Sequence, residues 1–219
     1  MRWPAFEAVR RPLARLWKGA EAAPETRWVV IDVETTGLDT EHDALLSIGA
    51  VALSPAGIDV SDSFEVAVRP PAISERSNIL IHRIGVAAQV GGEPPALACR
   101  RFLDYAGDSP LVGFHVGFDR AFLTRALRNV NLAVPRRWLD LAALAPALRP
   151  ETVAHSLDEW LTIANLSALE RHAAASDAMA TAMLFQWLLG NVPSADRYFG
   201  RLRGLAASAR WVGPANRTS

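Results

Sequence analysis

Cysteine and lysine are almost absent from this 219-residue sequence, which contains one of each, Cys99 and Lys18. A single cysteine excludes an internal disulfide, so we expect a reducing, cytoplasmic location in which Cys99 is a buried, inert thiol. No apolar run reaches the roughly 18 residues that a membrane span needs. The basic residues at the N-terminus are not followed by the apolar stretch of a secretory signal. We therefore expect no segment that spans a membrane, and a membrane partner is disfavoured.

The sequence also lacks net charge, since 23 basic and 23 acidic residues cancel. The charges are nevertheless unevenly distributed along the chain. Residues 1–27 carry a net +3 and residues 191–219 a net +4, which leaves −7 for residues 28–190. An acidic core between basic arms fits a protein that collects cations in its site and touches a polyanion elsewhere. Arms that only increase solubility would give the same distribution.

The sequence divides into three segments. Residues 1–26 are predicted to form a basic amphipathic arm, because Phe6, Val9, Leu13 and Trp17 recur at helical spacing. Residues 27–190 contain the regular patterns of a single domain, and residues 191–219 are interpreted as a basic tail. The central segment, a partner protein or a membrane surface could each cover the apolar stripe of the arm.

The order of apolar patterns within residues 27–190 predicts an α/β fold. Three strand patterns come first, beginning near Trp28, Leu45 and Ile58. Two short strands near residues 111–113 and 138–139 then alternate with helical patterns, the last of which covers residues 176–189. Strands followed by strand–helix alternation favour a mixed sheet of about five strands with helices on both faces.

The first strand is predicted to carry two carboxylates on one face. Asp32 and Glu34 stand two residues apart at its end, and side chains at that spacing point the same way. Clustered carboxylates repel one another unless a proton or a cation intervenes. A hard dication such as Mg²⁺ or Mn²⁺ suits oxygen ligands.

Three segments of the sequence resemble the motifs of the DEDDh family of exonucleases. Residues 32–38 read DVETTGL, residues 111–123 read LVGFHVGFDRAFL, and residues 171–178 read RHAAASDA. They are similar, in the same order, to the motifs of the DnaQ-like proofreading and RNA-trimming nucleases, which include the epsilon subunits of bacterial DNA polymerase III. The resemblance covers about residues 28–189. It implies a ribonuclease-H-like fold and 3′→5′ hydrolysis that releases nucleoside 5′-monophosphates.

The resemblance also implies roles for five residues. The proposed ligands of two Mg²⁺ or Mn²⁺ ions are carboxylates from all three motifs, namely Asp32, Glu34, Asp119 and Asp177. His172 would be the general base, since an unperturbed histidine pKa near 6.5 suits proton removal near neutral pH. Two ions about 3.5–4 Å apart can activate the attacking water and stabilise the leaving oxygen.

Five further residues are expected to contact the substrate because of the same resemblance. Thr35 and Thr36 would hold the terminal nucleotide, and Leu38 would wedge against its base, although a core position was the alternative for Leu38. His82 and His115 complete the set. His82 lies in an IHRI segment similar to the family's His-Gly-Ile, and His115 would form a wall beside the Asp119 carboxylate.

Two residues depart from the family pattern. Arg83 replaces the usual glycine after His82, and Val116 stands where many relatives have asparagine. Arg83 lacks the conformational freedom of glycine, and Val116 lacks the amide that would make a polar contact near the site. Asp140 is interpreted as a helix N-cap rather than as a ligand. The polar residues 41–43 are expected to be solvated.

These observations favour a 3′→5′ exonuclease of the DNA proofreading or repair type, acting on a single-stranded or frayed 3′ end. An RNA-trimming exonuclease is the enzymatic alternative. A non-catalytic subunit that binds a polymerase or nucleic acid is the alternative from another class. The terminal arms are candidates for contacting a polymerase or another protein.

A truncated protein that begins at Glu25 tests whether residues 5–18 are an accessory docking element. In that case the truncation keeps the melting temperature and the turnover of short oligonucleotides measured for the full chain. A melting temperature lower by many degrees would instead place the segment in the folded core.

Overall fold

The computed structural model describes residues 23–72, 84–167 and 173–209. Within these ranges the chain forms one five-stranded mixed sheet with the strand order β3-β2-β1-β4-β5. Strands β1 and β2, and β2 and β3, pair antiparallel, whereas β1 and β4, and β4 and β5, pair parallel. The strands are β1 (Trp28–Thr35), β2 (Leu45–Ser54), β3 (Gly57–Ala67), β4 (Leu111–Gly113) and β5 (Trp138–Asp140).

The described part of the chain also contains seven α-helices. They are α1 (Val86–Gly91), α2 (Pro95–Ala106), α3 (Gly117–Asn129), α4 (Leu141–Leu148), α5 (Leu157–Ile163), α6 (Ala174–Leu189) and α7 (Phe199–Ala209). Helices α2 and α3 pack on one face of the sheet, in a cluster with Val29, Ile31 and Val33. Helices α4, α6 and α7 pack on the other face, in a cluster with Trp28 and Val30. The alternation along β1 thus assigns its odd positions to the α2–α3 face and its even positions to the α6 face.

The predicted ribonuclease-H-like class, a mixed five-stranded sheet with helices on both faces, is confirmed. Strand β1 continues to Thr35 and contains both Asp32 and Glu34. Helix α1 was not predicted, because it is six residues long and lies in a segment rich in proline and glycine. Residues 5–18 lie outside the described residues. No helix that the structure describes is long and apolar enough to cross a membrane.

The described part of the predicted C-terminal tail contains α7. Its Leu202 is fully buried in the cluster that includes α4 and α6. Glu25 connects the start of the domain to this region, because its carboxylate accepts a hydrogen bond from the backbone N–H of Phe199 (3.2 Å) and pairs with Arg137. The boundaries at residues 26 and 190 stay predictions.

A glycine in the middle of β2 lets the first turn of α6 approach the sheet. Gly49 pairs with Asp32 of β1, and a Cβ atom on Gly49 would overlap with the backbone of Ala174 and Ala175. Because backbone atoms, unlike the end of a flexible side chain, cannot move aside alone, any side chain at Gly49 would displace α6 from the sheet.

We expect Gly49→Ala to lower the free energy of unfolding by about 1–3 kcal/mol, the usual cost of inserting a methyl group into a packed interior. Thermal or urea unfolding of the full chain measures the change. Gly204→Ala is the matched control, because it lies in α7 with no atom within 4 Å of its would-be Cβ. Alanine at that helical position should preserve or raise stability. Equal effects of the two substitutions would contradict the close approach at Gly49.

Candidate active site

Three carboxylates meet at the carboxyl end of β1. Asp32 and Glu34 occupy even positions of the strand and therefore face α6, where the first turn contributes Asp177. One oxygen from each of the three side chains lies within 4.8 Å of the others. The sequence predicted that Asp32 and Glu34 share a face, and the fold adds Asp177 to them from 143 residues further along the chain.

Asp177 reaches the sheet because α6 begins directly above β2. Its side chain is only 7% exposed, in contrast to the half-buried Asp32 and Glu34. The helix begins at Ala174 without a side-chain cap. The positive end of the helix dipole favours a negative charge in this first turn. The helix therefore offsets part of the repulsion that Asp177 meets from the two carboxylates of β1.

Asp119 approaches the same strand from the opposite face of the sheet. It lies in the first turn of α3, is 5% exposed, and its Oδ1 accepts a hydrogen bond from the backbone N–H of Val33 at 3.1 Å. Burial raises the pKa of Asp119 to about 7, against the lowering effect of backbone hydrogen bonds from its own N–H and that of Val33. The charge of Asp140 raises the pKa further. A nearby cation would favour the ionised form.

The chemistry of these side chains fits a divalent cation. Asp32, Glu34 and Asp177 supply only oxygen ligands, which hard dications such as Mg²⁺ and Mn²⁺ prefer. Their oxygens are close enough for a single ion to touch all three residues. Asp119 is not part of this group of three, but its hydrogen bond to Val33 places it beside the residue between Asp32 and Glu34.

The loop after β1 is held by its own side chains. Asp43 accepts from the hydroxyl of Thr36 (3.0 Å) and from the backbone N–H of Asp39 (2.8 Å), while the hydroxyl of Thr35 donates to the carbonyl of Gly37 (2.6 Å). A Cβ atom on Gly37 would overlap with the Asp43 carboxylate. Asp43 was expected to be solvated, and the structure instead assigns it to loop closure.

Leu38 lies at the exposed tip of this loop. Its side chain is 85% exposed, so the alternative that it belongs to the core is wrong. An apolar side chain held in water by a tight loop has no packing role in the fold. Its predicted contact with a base stays a prediction, as do the predicted contacts of Thr35 and Thr36 with a nucleotide.

Asp140, the last residue of β5, accepts hydrogen bonds both from α4 and from the turn that follows β4. Its Oδ1 accepts from the backbone N–H of Ala142 (3.0 Å), which confirms the predicted N-cap of α4. The same atom accepts from the backbone N–H of His115 (3.1 Å). His115 is exposed, stacks edge-on against Phe114, and has a left-handed φ of 56°. The carboxylate thus fixes the turn that leads from β4 into α3 and Asp119.

Two predicted site residues, His172 and His82, lie outside the described residues, as does Arg83. Val116 is buried at the start of α3, next to Gly113. The sequence reasoning missed Gly49 and the role of Asp43. A glycine inside a buried strand was the available signal for Gly49, since such glycines often mark a close backbone approach. No local pattern distinguishes Asp43 from its polar neighbours.

Comparison with known proteins identifies relatives of this chain. The sequence model of the RNase T exonuclease family matches residues 29–185. A PolC-type DNA polymerase III of Caldanaerobacter subterraneus is 30% identical over 168 residues, which are 76% of this chain and 12% of that protein. The PolC-type DNA polymerase III of Thermotoga maritima is 30% identical over 162 residues, or 74% of this chain and 12% of the relative. The chain thus spans about an eighth of the length of these relatives.

Solved structures with the same fold include exonucleases. Escherichia coli exonuclease I in complex with a dA16 oligonucleotide superimposes with a TM-score of 0.66 at 17% identity, over 78% of this chain and 42% of that one. Cell-death related nuclease 4 gives a TM-score of 0.66 at 15% identity, over 77% of this chain and 65% of its own.

The match of the family model extends over most of the chain and includes β1, α3 and the first turn of α6, the elements that carry the four carboxylates. This protein therefore belongs to the RNase T family of exonucleases.

Proposed function

We propose that this protein is a 3′→5′ exonuclease that hydrolyses a single-stranded or frayed DNA end to nucleoside 5′-monophosphates with two divalent ions. The observation that carries the proposal is the group formed by Asp32, Glu34 and Asp177, whose oxygens lie within 4.8 Å of one another. The buried Asp119 lies beside this group. Such a concentration of carboxylates is unfavourable in a metal-free fold, so a role in binding cations explains it best.

The proposed mechanism requires the carboxylates to hold two Mg²⁺ or Mn²⁺ ions, directly or through water. When bound, such ions lower the pKa of the attacking water and neutralise the departing 3′ oxygen. Asp32 is the proposed ligand of both ions, as the resemblance of residues 32–38 to the first motif of the DEDDh family implies.

His172 is the proposed general base, on the evidence of its position five residues before Asp177 in the third motif. Its neutral imidazole would accept the proton of the attacking water. Leu38 would contact the terminal base from the tip of its loop, and the backbone of Thr35 and Thr36 would face the terminal nucleotide. His82 and His115 would border the same nucleotide.

The similarity to known proteins supports the proposal of a DNA substrate and a polymerase partner. A PolC-type DNA polymerase III contains a segment that is 30% identical to this chain, and exonuclease I, which shares its fold, has been solved with a dA16 oligonucleotide. We propose a proofreading or repair role in the cytoplasm, with the terminal arms as candidate contacts for a polymerase or another protein. RNA trimming is the second candidate, since the family model that matches the chain is that of RNase T.

Turnover should require Mg²⁺ or Mn²⁺. A 5′-labelled single-stranded oligonucleotide should be shortened stepwise from its 3′ end, and an excess of chelator should abolish the reaction. Ca²⁺ should support binding but little turnover, because its looser coordination positions the nucleophile poorly. The turnover rates of DNA and RNA oligonucleotides of the same sequence, measured in parallel, show whether the protein prefers deoxyribose or ribose in its substrate.

Substitution of a site carboxylate tests whether the measured turnover belongs to this site. Asp177→Asn should lower turnover by orders of magnitude, while its metal-free melting temperature stays the same or rises because a repulsion is removed. The matched substitution Asp104→Asn, at an exposed position of α2, should change neither quantity. Full activity in chelator would refute the two-metal mechanism. No turnover by the wild type under any of these conditions would favour a non-catalytic binding subunit.

The rate should fall as the pH drops through the pKa of His172, since protonation removes the base. His172→Ala should lower turnover and flatten this acidic limb of the pH–rate profile. His155→Ala, at an exposed histidine near the start of α5, should leave the profile unchanged. If His172→Ala retains the wild-type profile, another group accepts the proton.

A further inference from the structure

The outer face of α3 carries two exposed arginines. Arg120 follows Asp119 directly, and Arg128 lies eight residues later, so the two project from the helix roughly 12 Å apart along its axis. The only acidic residue of the helix is Asp119, which is buried and turned towards β1. The charged residues on the solvent side of α3 are therefore all basic.

These arginines differ from most others in the described part of the chain. Arg27, Arg101, Arg137 and Arg149 each form an ion pair with an acidic residue. Arg125, also on α3, stacks over the Phe122 ring and donates to the carbonyl of Asp43. Among the residues that the structure describes, Arg120 and Arg128 make no ion pair and no side-chain hydrogen bond. Their charges remain available to an external anion.

Two clefts meet at Arg120. One runs along α3 past Thr124 to Arg128, with a volume of about 540 Å³. The other, of about 560 Å³, lies between α3, the edge strand β5 and α7, where Arg203 and Asp140 line it. Both include Gly117, where a Cβ atom would have no neighbour within 4 Å. The two clefts share Gly117 and Arg120, so they adjoin at the first turn of α3, which also contains Asp119.

We propose that this arginine face, formed by Arg120, Arg128 and Arg203, binds the phosphodiester backbone of the single strand behind the terminal nucleotide. This inference rests on the proposed function and assigns a path to its substrate. Residues 28–190 carry a net charge of −7, which repels a polyanion, so a strand needs a locally basic surface to reach the carboxylates. The arginine face supplies such a surface, and two of its three residues lie on the helix whose first turn contributes Asp119.

The test is the salt dependence of binding by the full-length protein. Fluorescence anisotropy with a 20-nucleotide oligothymidylate in Ca²⁺ gives the Kd at several salt concentrations. Each phosphate contact to a single strand contributes about 0.7 to the slope of log Kd against log salt. Arg128→Gln should therefore reduce the slope by about 0.7 and weaken binding roughly five-fold at 0.1 M salt. Arg120→Gln combined with Arg128→Gln should reduce the slope about twice as much.

Arg100→Gln is the matched control, because it removes the same charge from an exposed arginine on α2. Its slope should equal that of the wild type. An unchanged slope for Arg128→Gln, with wild-type turnover intact, would overturn the proposed path and leave the exonuclease function standing. It would then favour an acidic protein as the partner of the arginine face. A wild-type protein that neither binds nor shortens the oligonucleotide would overturn both proposals.

Discussion

Three carboxylates with oxygens within 4.8 Å of one another raise the free energy of the metal-free fold, because like charges repel at that distance. The rest of the structure must therefore hold them in place. Strand β1 fixes Asp32 and Glu34 by its pleat, and the packing of α6 on β1 and β2 fixes Asp177. The packing of the core clusters on both sides of the sheet offsets the free energy of this repulsion. A bound cation would stabilise the fold, since it reduces the repulsion between the carboxylates.

The site forms because side chains from helices on both faces of the sheet approach the same end of β1. Asp177 comes from the α6 face, where the absent side chain of Gly49 leaves room for the helix. Asp119 comes from the α3 face and accepts a hydrogen bond from the N–H of Val33, a residue that the pairing of β1 with the short β4 does not reach. Asp140 then fixes the turn before α3 by accepting from His115. The carboxylates of β1, α6 and α3 are thus held in place by different elements of the fold.

Much of this arrangement could be predicted from the sequence. The apolar patterns predicted the strands of the sheet, and the two-residue spacing of Asp32 and Glu34 predicted their common face. Both features depend only on residues that are close together in the sequence. The approach of Asp177 followed only from the resemblance to a family, since no local rule connects α6 to β1. Gly49, Asp43 and the exposed position of Leu38 depend on contacts between distant segments or on loop closure. Helix α7 was missed because its apolar residues, such as Leu202, lie in a stretch whose basic charge suggested a tail.

The two edges of the sheet differ in length, since β5 has three residues and β3 has eleven. An edge strand presents unpaired backbone groups to which a strand of another molecule can add, so β3 is the edge at risk of aggregation. Three acidic residues interrupt it, namely Asp59, Asp62 and Glu65. The ladder between β2 and β3 also shifts its register between Val51 and Ala52. Charge and irregularity at this edge therefore disfavour the growth of the sheet from one molecule into the next.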